Sequence, residues 1–267
     1  MMTFVPQITT PAGACLTVLN WEELGMDTAV CSMSSLLMKP GLAHLQTLTH
    51  LAHYLGWNKD LVLDASMLVL KNHTHFMIQS VYDGMRISVS LEEFWGLVQS
   101  LQPNIVLLPK NLLEKDIPQL PSSILPFFSF DATPKTYDKP FGLYGSVNSA
   151  RDHHASIPIY LQDDEGHCSV LEADFSVRHY YASDKPAADA YHGLVYEEHG
   201  TITISEKQFA TQFELLDSKC TCSTCKQGFT RAYLHHLFHS TPLLCQRFLI
   251  IHNMTWFQKA LSLKAGG

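Results

Sequence analysis

Three cysteines within six residues, Cys220, Cys222 and Cys225, are the densest set of reactive side chains in the sequence. Cysteines this close do not staple a core, because a disulfide across one or two residues is strained. They do bring three sulfurs around one point. Three thiolates at a point suit a soft tetrahedral cation, and zinc then asks for a fourth ligand. Histidines are frequent in the stretch that follows, at His235, His236, His239 and His252, and each is a possible fourth donor. Four protein ligands leave no open position for a water molecule, so a zinc ion held this way is structural. It would order a segment that lacks the apolar core to fold alone.

The composition around this cluster is that of a folded chain. Of 267 residues, 46% are hydrophobic and 16% charged, enough for a full core and unlike a disordered segment. Seven cysteines, an odd number, fit metal ligands plus free thiols in a reducing compartment better than a disulfide framework. No apolar run reaches the length of a membrane span, and the N-terminus lacks a signal-peptide pattern, so the expected location is cytoplasmic. The net charge of −7 is unevenly spread: from Lys219 onward there are basic residues and no Asp or Glu. A basic end on an acidic body points to a local polyanion contact, with a few solvated lysines as the plainer reading.

The elements that must position these residues read as alternating strands and helices. Thr3–Val5, Leu61–Ala65, Ile105–Leu108, Phe141–Tyr144, Ile157–Leu161 and Thr201–Ile204 are strand-like, and so is Ala14–Val18. Asn20 is placed to cap a short helix that ends at Gly25. Leu42, Leu45, Leu48, Leu51 and Leu55 lie at helical spacing before Gly56 and predict one helix from Gly41 to Leu55. Asp83-Gly84 between apolar runs predicts a hairpin. Ser90-Leu91-Glu92-Glu93 is a capping box opening a helix to about Leu101. The proline-rich stretch from Leu113 to Lys139 reads as a surface loop or lid. Strand, helix, strand in this rhythm argues for parallel α/β units.

Three motifs taken together carry a family resemblance. Cys220-Thr221-Cys222-Ser223-Thr224-Cys225, then Thr230-Arg231-Ala232-Tyr233-Leu234-His235-His236-Leu237, then His252-Asn253, resemble the zinc subdomain of tRNA-guanine transglycosylases. Those enzymes exchange the wobble guanine of certain tRNA anticodons for queuine or its precursor. The resemblance implies the ligand set Cys220, Cys222, Cys225 and His252 around a structural Zn²⁺. It also implies a TIM-type (β/α) barrel, here shortened or incomplete, with a C-terminal zinc-binding subdomain. Shorter motifs extend it: Lys39-Pro40-Gly41-Leu42, Gly56-Trp57, Asp83-Gly84 and Phe141-Gly142-Leu143. The domains expected are residues 1–205 for the barrel and 206–267 for the zinc-binding part.

Base exchange on a ribose needs a nucleophile at the anomeric carbon and a second carboxylate for the proton. The resemblance puts the general acid/base at Asp64, on a C-terminal strand end. Here Asp64-Ala65-Ser66-Met67 keeps the acid and drops the family's glycines, which let backbone approach the purine. The run Leu171 to Arg178 puts Glu172 where the family has a nucleophilic aspartate, with Asp174 beside it. One extra methylene at Glu172 shifts the carboxylate from near-attack geometry. Two substrate-binding positions also differ: the second guanine-reading aspartate falls near Lys110, and the guanine-reading glutamine on Gly145. The chain is shorter than catalytic members, and the missing units are expected between Gly145 and Ile157.

The pattern is closest to the family's non-catalytic accessory subunit. The function expected is that of a catalytically impaired zinc-binding subunit in queuosine-type tRNA modification, acting as a homodimer or as a heterodimer with a catalytic subunit. Docking of tRNA falls to Lys226, Arg231, Arg247 and Lys259. The alternative is an active transglycosylase using Asp64 and Glu172.

Overall fold

The computed structural model describes residues 2–147, 149, 156–163 and 178–265, with side chains to residue 261. Contacts group the chain into two compact units. One takes in Met1–Thr9, Asp27–Gln162 and residues 178–182, the other Thr10–Met26 and Ser183–Gly267.

Short, continuous apolar runs such as Leu61-Val62-Leu63 are the signature of strands buried on both faces, which is how parallel sheets are built. The first eleven strands are β1 (Met2–Val5), β2 (Thr28–Ser32), β3 (Asp60–Asp64), β4 (Leu70–Lys71), β5 (His75–Gln79), β6 (Arg86–Ser90), β7 (Ile105–Leu107), β8 (Leu125–Ser129), β9 (Gly142–Ser146), β10 (Ile159–Gln162) and β11 (His179–Ala182). β4, β5 and β6 form an antiparallel sheet that includes the predicted hairpin, and His75 to Gln79 pair with Ser90 to Arg86. The other eight are parallel, in the order β1-β11-β10-β9-β8-β7-β3-β2. That is chain order read around a ring, and its two ends meet. Gln7 bridges Val30 in parallel, and the Val30 N–H donates to the Pro6 carbonyl while Ile8 donates to that of Val30, both at 3.0 Å. The result is a nearly closed eight-stranded parallel barrel, the (β/α)₈ architecture.

Its interior is packed. Val5, Val30, Val62, Ile105, Leu107, Phe127, Tyr144, Tyr160, Tyr180 and Ala182 form one buried cluster. The rings of Phe127, Tyr160 and Tyr180 meet with centroids 6.0 to 6.4 Å apart. At the N-terminal end of the strands Arg178 ties the seam: its guanidinium donates to Thr3 Oγ1, Thr28 Oγ1 and Asp60 Oδ2 at 3.1 to 3.3 Å. Arg178 therefore serves the end of the barrel opposite to Asp64.

The sheet has its full strand number. The missing units expected between Gly145 and Ile157 leave no gap in it, because β9 and β10 pair directly from Leu143 with Ile159 to Ser146 with Gln162. What is short is the outer layer. In the barrel unit α2 (Met33–Leu36), α3 (Leu42–Leu45), α4 (Leu51–Leu55) and α5 (Leu91–Leu101) all precede β7, and α1 (Val18–Glu23) belongs to the other unit. The crossovers after β7 and β8 carry only the 3₁₀ turns Glu114–Asp116 and Phe130–Ala132.

Four local expectations change. The segment Leu113 to Lys139 is not all loop, since it holds the barrel strand β8 with Pro126 inside it. Proline argues against a central strand because it has no N–H to donate. It is tolerated here because pairing with β9 starts one residue later, at Phe127 with Gly142. The helix expected over Gly41 to Leu55 is two helices, α3 and α4. Thr47 donates through Oγ1 to the His44 carbonyl at 2.7 Å, the local competition by which threonine ends helices. Ala14 to Val18 is a 3₁₀ turn running into α1 and not a strand, and Thr17 rather than Asn20 is the N-cap. Asn20 completes the reciprocal capping box.

In the second unit, α6 (Lys185–Tyr191) and the hairpin β12 (Leu194–Glu197) and β13 (Gly200–Thr203) precede α7 (Ser223–Lys226), α8 (Arg231–Ser240) and α9 (Pro242–Ala265). Proline stands at the start of α9, where its missing N–H costs nothing. Buried Leu249, Ile250, Ile251, Met254 and Phe257 give α9 its core face.

Candidate functional site

The short helix α7 begins in the cysteine run. Cys222 is its N-cap, and its sulfur accepts the Cys225 N–H at 3.3 Å. That bond folds the run back on itself and brings Cys220, Cys222 and Cys225 together. Thr224, fully buried, donates to the Phe248 carbonyl at 2.8 Å and docks α7 on α9. One turn further along α9, His252 points its Nδ1 at the sulfurs, 3.3 Å from Cys225 Sγ and 3.9 Å from Cys222 Sγ. The four donor atoms of Cys220, Cys222, Cys225 and His252 all lie within 4.8 Å of one another.

The ring of His252 is oriented from behind. Its Nε2 lies 2.9 Å from the Tyr196 carbonyl, so Nε2 carries the proton and Nδ1 offers its lone pair to the cluster. This is the arrangement that fixes the tautomer of a metal-ligating histidine. Asn253 continues the support: Oδ1 accepts the Tyr196 N–H at 3.0 Å, and Nδ2 donates to the carbonyls of Leu194 at 2.9 Å and Pro186 at 3.2 Å. Burial disfavours a charged His252, yet contact with the Cys220 and Cys222 sulfurs outweighs it and raises its pKa to about 10, so metal binding has to displace a proton from Nδ1 before that lone pair can ligate. Hydrogen bonds from Cys222 and Cys225 push the Cys220 thiol far below the ordinary thiol range. Three soft sulfurs and one oriented imidazole around a common point fit a tetrahedral zinc ion. The nearer histidines do not join the cluster: His235 Nδ1 contacts the Ile204 carbonyl at 2.8 Å, and His239 faces that of Ser205 at 3.4 Å.

Beside the cluster lies a cleft of about 930 Å³, lined among others by Glu197, Glu198, Lys219, Cys220, Trp256 and Lys259. The basic residues expected to meet tRNA are placed unequally here. Arg231 is half-buried and paired with Glu197, and Lys219 pairs with Glu198 at 2.6 Å. Lys226 and Lys259 are exposed, whereas Arg247 is half-buried.

In the barrel unit, Asp64 is the last residue of β3, at the C-terminal end where such barrels carry their chemistry. Its Oδ1 accepts the Ser66 N–H at 2.8 Å and its Oδ2 the Gln162 amide at 3.2 Å. Gln162, at the end of β10, also reaches Ser66 Oγ at 3.3 Å. Gln162 was not among the residues singled out from the sequence; its signal is its place as the last polar residue of a strand. Gly145 has no room for a side chain: a Cβ there would lie 2.2 Å from Cδ2 of Phe130. Lys110 is an exposed side chain 4.0 Å from Asp131. Glu172 and Asp174 lie outside the described residues.

A nearly closed parallel barrel and a Cys₃His cluster define the class, an α/β-barrel protein with a helical module whose cluster fits a metal ion. Residues 181–262 match the family model described as Queuine tRNA-ribosyltransferase. Similar proteins carry the same description. That of Lawsonia intracellularis is 46% identical over 72 residues, 27% of this chain and 19% of the relative. That of Clostridium acetobutylicum is 32% identical over 100 residues, 38% of this chain and 26% of the relative. The matched segment thus spans about a fifth to a quarter of the length of these relatives. Through that segment, which contains Cys220, Cys222, Cys225 and His252, the chain is similar to queuine tRNA-ribosyltransferases.

Proposed function

We propose that the protein is a zinc-binding, catalytically impaired member of this family. It acts in the cytoplasm as a partner subunit in queuosine-type tRNA modification, dimerising with itself or with a catalytic subunit and docking tRNA. The observation that carries this reading is the set of residues on which the eight barrel strands end: Val5, Ser32, Asp64, Leu107, Ser129, Ser146, Gln162 and Ala182. Among these eight described residues Asp64 is the only ionisable one. Exchange of a base through a covalent ribosyl intermediate asks for two carboxylates, one to attack and one to move the proton. The substrate-binding positions support the same reading, since the ring of Phe130 fills the space beside Gly145 and Lys110 presents a positive charge in place of a carboxylate. The metal-binding subdomain, residues 206–267, would hold Zn²⁺ through Cys220, Cys222, Cys225 and His252. Bound there, the ion cross-links α7 to α9 and activates nothing. No helix among the described residues is long and apolar enough to cross a membrane.

The test is a base-exchange assay with labelled guanine and tRNA, run on the pure protein and on its mixture with a catalytic family member. Salt-sensitive tRNA binding without incorporation by the protein alone is expected. Incorporation by the pure protein overturns the reading.

An active enzyme using Asp64 and Glu172 is the second reading, favoured by the pinned carboxylate of Asp64 at the catalytic end of the barrel. It requires a denaturation-stable RNA–protein adduct that disappears in Glu172→Gln.

A further inference from the structure

The four ligating residues are not equally shielded. Cys222 is 5% exposed, Cys225 9% and His252 not at all, whereas Cys220 is half-buried and forms part of the cleft wall. The metal cluster is therefore closed on three sides and open through one sulfur. We propose that Cys220 is an oxidative modification site. A small peroxide enters the cleft, oxidises the Cys220 sulfur, and the zinc ion is released as Cys220 closes a disulfide with Cys225. This rests on zinc being held by the cluster.

The chemistry balances on groups already in place. The Cys220 thiolate attacks one oxygen of hydrogen peroxide, forming an S–O bond as the O–O bond breaks and hydroxide leaves. The Cys225 thiolate, whose sulfur lies within 4.8 Å, then attacks the Cys220 sulfur, and the sulfenic oxygen leaves as a second hydroxide. Two thiolates lose two electrons, the peroxide gains them, and two protons from solvent complete two waters. Cys225 is a better partner than Cys222, because a disulfide across a single intervening residue is strained. Loss of two of four ligands opens the coordination shell.

The other described cysteines are poor competitors. Cys31 and Cys245 are fully buried, and burial pushes both thiols up to about 12. Cys15 is half-buried, and its thiol donates to the Pro11 carbonyl at 3.4 Å. It is the natural internal control.

The experiment uses the full chain, with its zinc content first measured by metal analysis. Absence of zinc at that stage counts against the zinc reading itself. On zinc-loaded protein, hydrogen peroxide is titrated while a chromogenic chelator reports free zinc and peptide mass spectrometry locates the oxidised cysteines. Zinc release in step with a Cys220–Cys225 disulfide, unchanged in Cys15→Ser and reversed by a thiol reductant, is expected. Retention of zinc while Cys220 is oxidised overturns the proposal. So does release with Cys220 still reduced, or modification of Cys15 at lower peroxide than Cys220.

Discussion

His252 and Tyr196 are joined at the backbone: the imidazole Nε2 donates to the Tyr196 carbonyl at 2.9 Å while the adjacent Asn253 accepts the Tyr196 N–H at 3.0 Å. Two neighbouring residues of α9 thus bond both backbone polar groups of one β12 residue. The metal-facing nitrogen of His252 is set by that strand as much as by the helix that carries it.

Asn253 is accordingly expected to govern the metal site without touching it. Asn253→Ala leaves the Tyr196 N–H and the Leu194 and Pro186 carbonyls without their partner in a buried place. That costs on the order of 3 kcal/mol, read from urea unfolding. Zinc affinity falls about 10- to 100-fold in a chelator competition, as when an outer partner of a ligating histidine is lost. Wild-type zinc affinity in Asn253→Ala would refute the coupling. His252→Ala removes the ligand itself and is expected to abolish stoichiometric zinc.

A second expectation concerns the closed space at Gly145. A methyl group there would sit 2.2 Å from the Phe130 ring. Gly145→Ala is expected to destabilise the protein by about 1–3 kcal/mol, the cost of overpacking a filled site. Phe130→Ala in the same chain makes room, so the double variant recovers part of that loss. Simple additivity of the two changes in unfolding free energy would show that the ring and the glycine do not share the space.

The sequence was most readable where chemistry is local. The cysteine run, the Ser90 capping box and the Asp83-Gly84 hairpin each contain their own geometry within a few residues, and each folds as read. Strand β8 was hidden because the tolerance of Pro126 depends on where β9 begins, a fact about a different part of the chain. The break between α3 and α4 was hidden because a leucine stripe at helical spacing outweighs a threonine side chain on paper. Closure of the barrel was unreadable for a further reason. It depends on Gln7 meeting Val30 and on Arg178 reaching Thr3, Thr28 and Asp60, pairings set by topology. In the candidate site the ligands were legible, but the choice of His252 came from family resemblance. The filling of the Gly145 space by Phe130 has no sequence signal.

Acid is expected to loosen the barrel unit through His179. The Ile159 N–H donates to His179 Nδ1 at 3.0 Å, so that nitrogen has to be unprotonated in the fold. Burial lowers the pKa of His179 below its ordinary value of 6.5. The folded state therefore binds this proton less readily than the unfolded chain. The stabilisation is complete above pH 6.5 and is lost as pH falls through the folded value. Urea midpoints taken from about pH 7.5 down to about pH 5.5 should fall in the native chain. They should fall less in His179→Gln, whose side-chain oxygen accepts the same N–H without titrating. Parallel falls in the two proteins would assign the acid sensitivity elsewhere.

The basic residues of the second unit are expected to divide by their present partners. Lys226 is exposed at the end of α7, and a phosphate can pair with it at little cost. Lys226→Ala should weaken tRNA binding and reduce the slope of log K against log salt by about 0.7 to 0.9, one phosphate contact. Arg231 is different, because its guanidinium is half-buried against Glu197. A phosphate would have to displace that carboxylate and leave it unpaired in the cleft wall. Arg231→Ala should therefore lower the melting temperature while the salt slope of the folded protein stays as it was. Filter binding across a salt series, with melting curves on the same samples, separates the two outcomes. A loss of slope in Arg231→Ala equal to that in Lys226→Ala would mean that RNA opens the Arg231–Glu197 pair on binding.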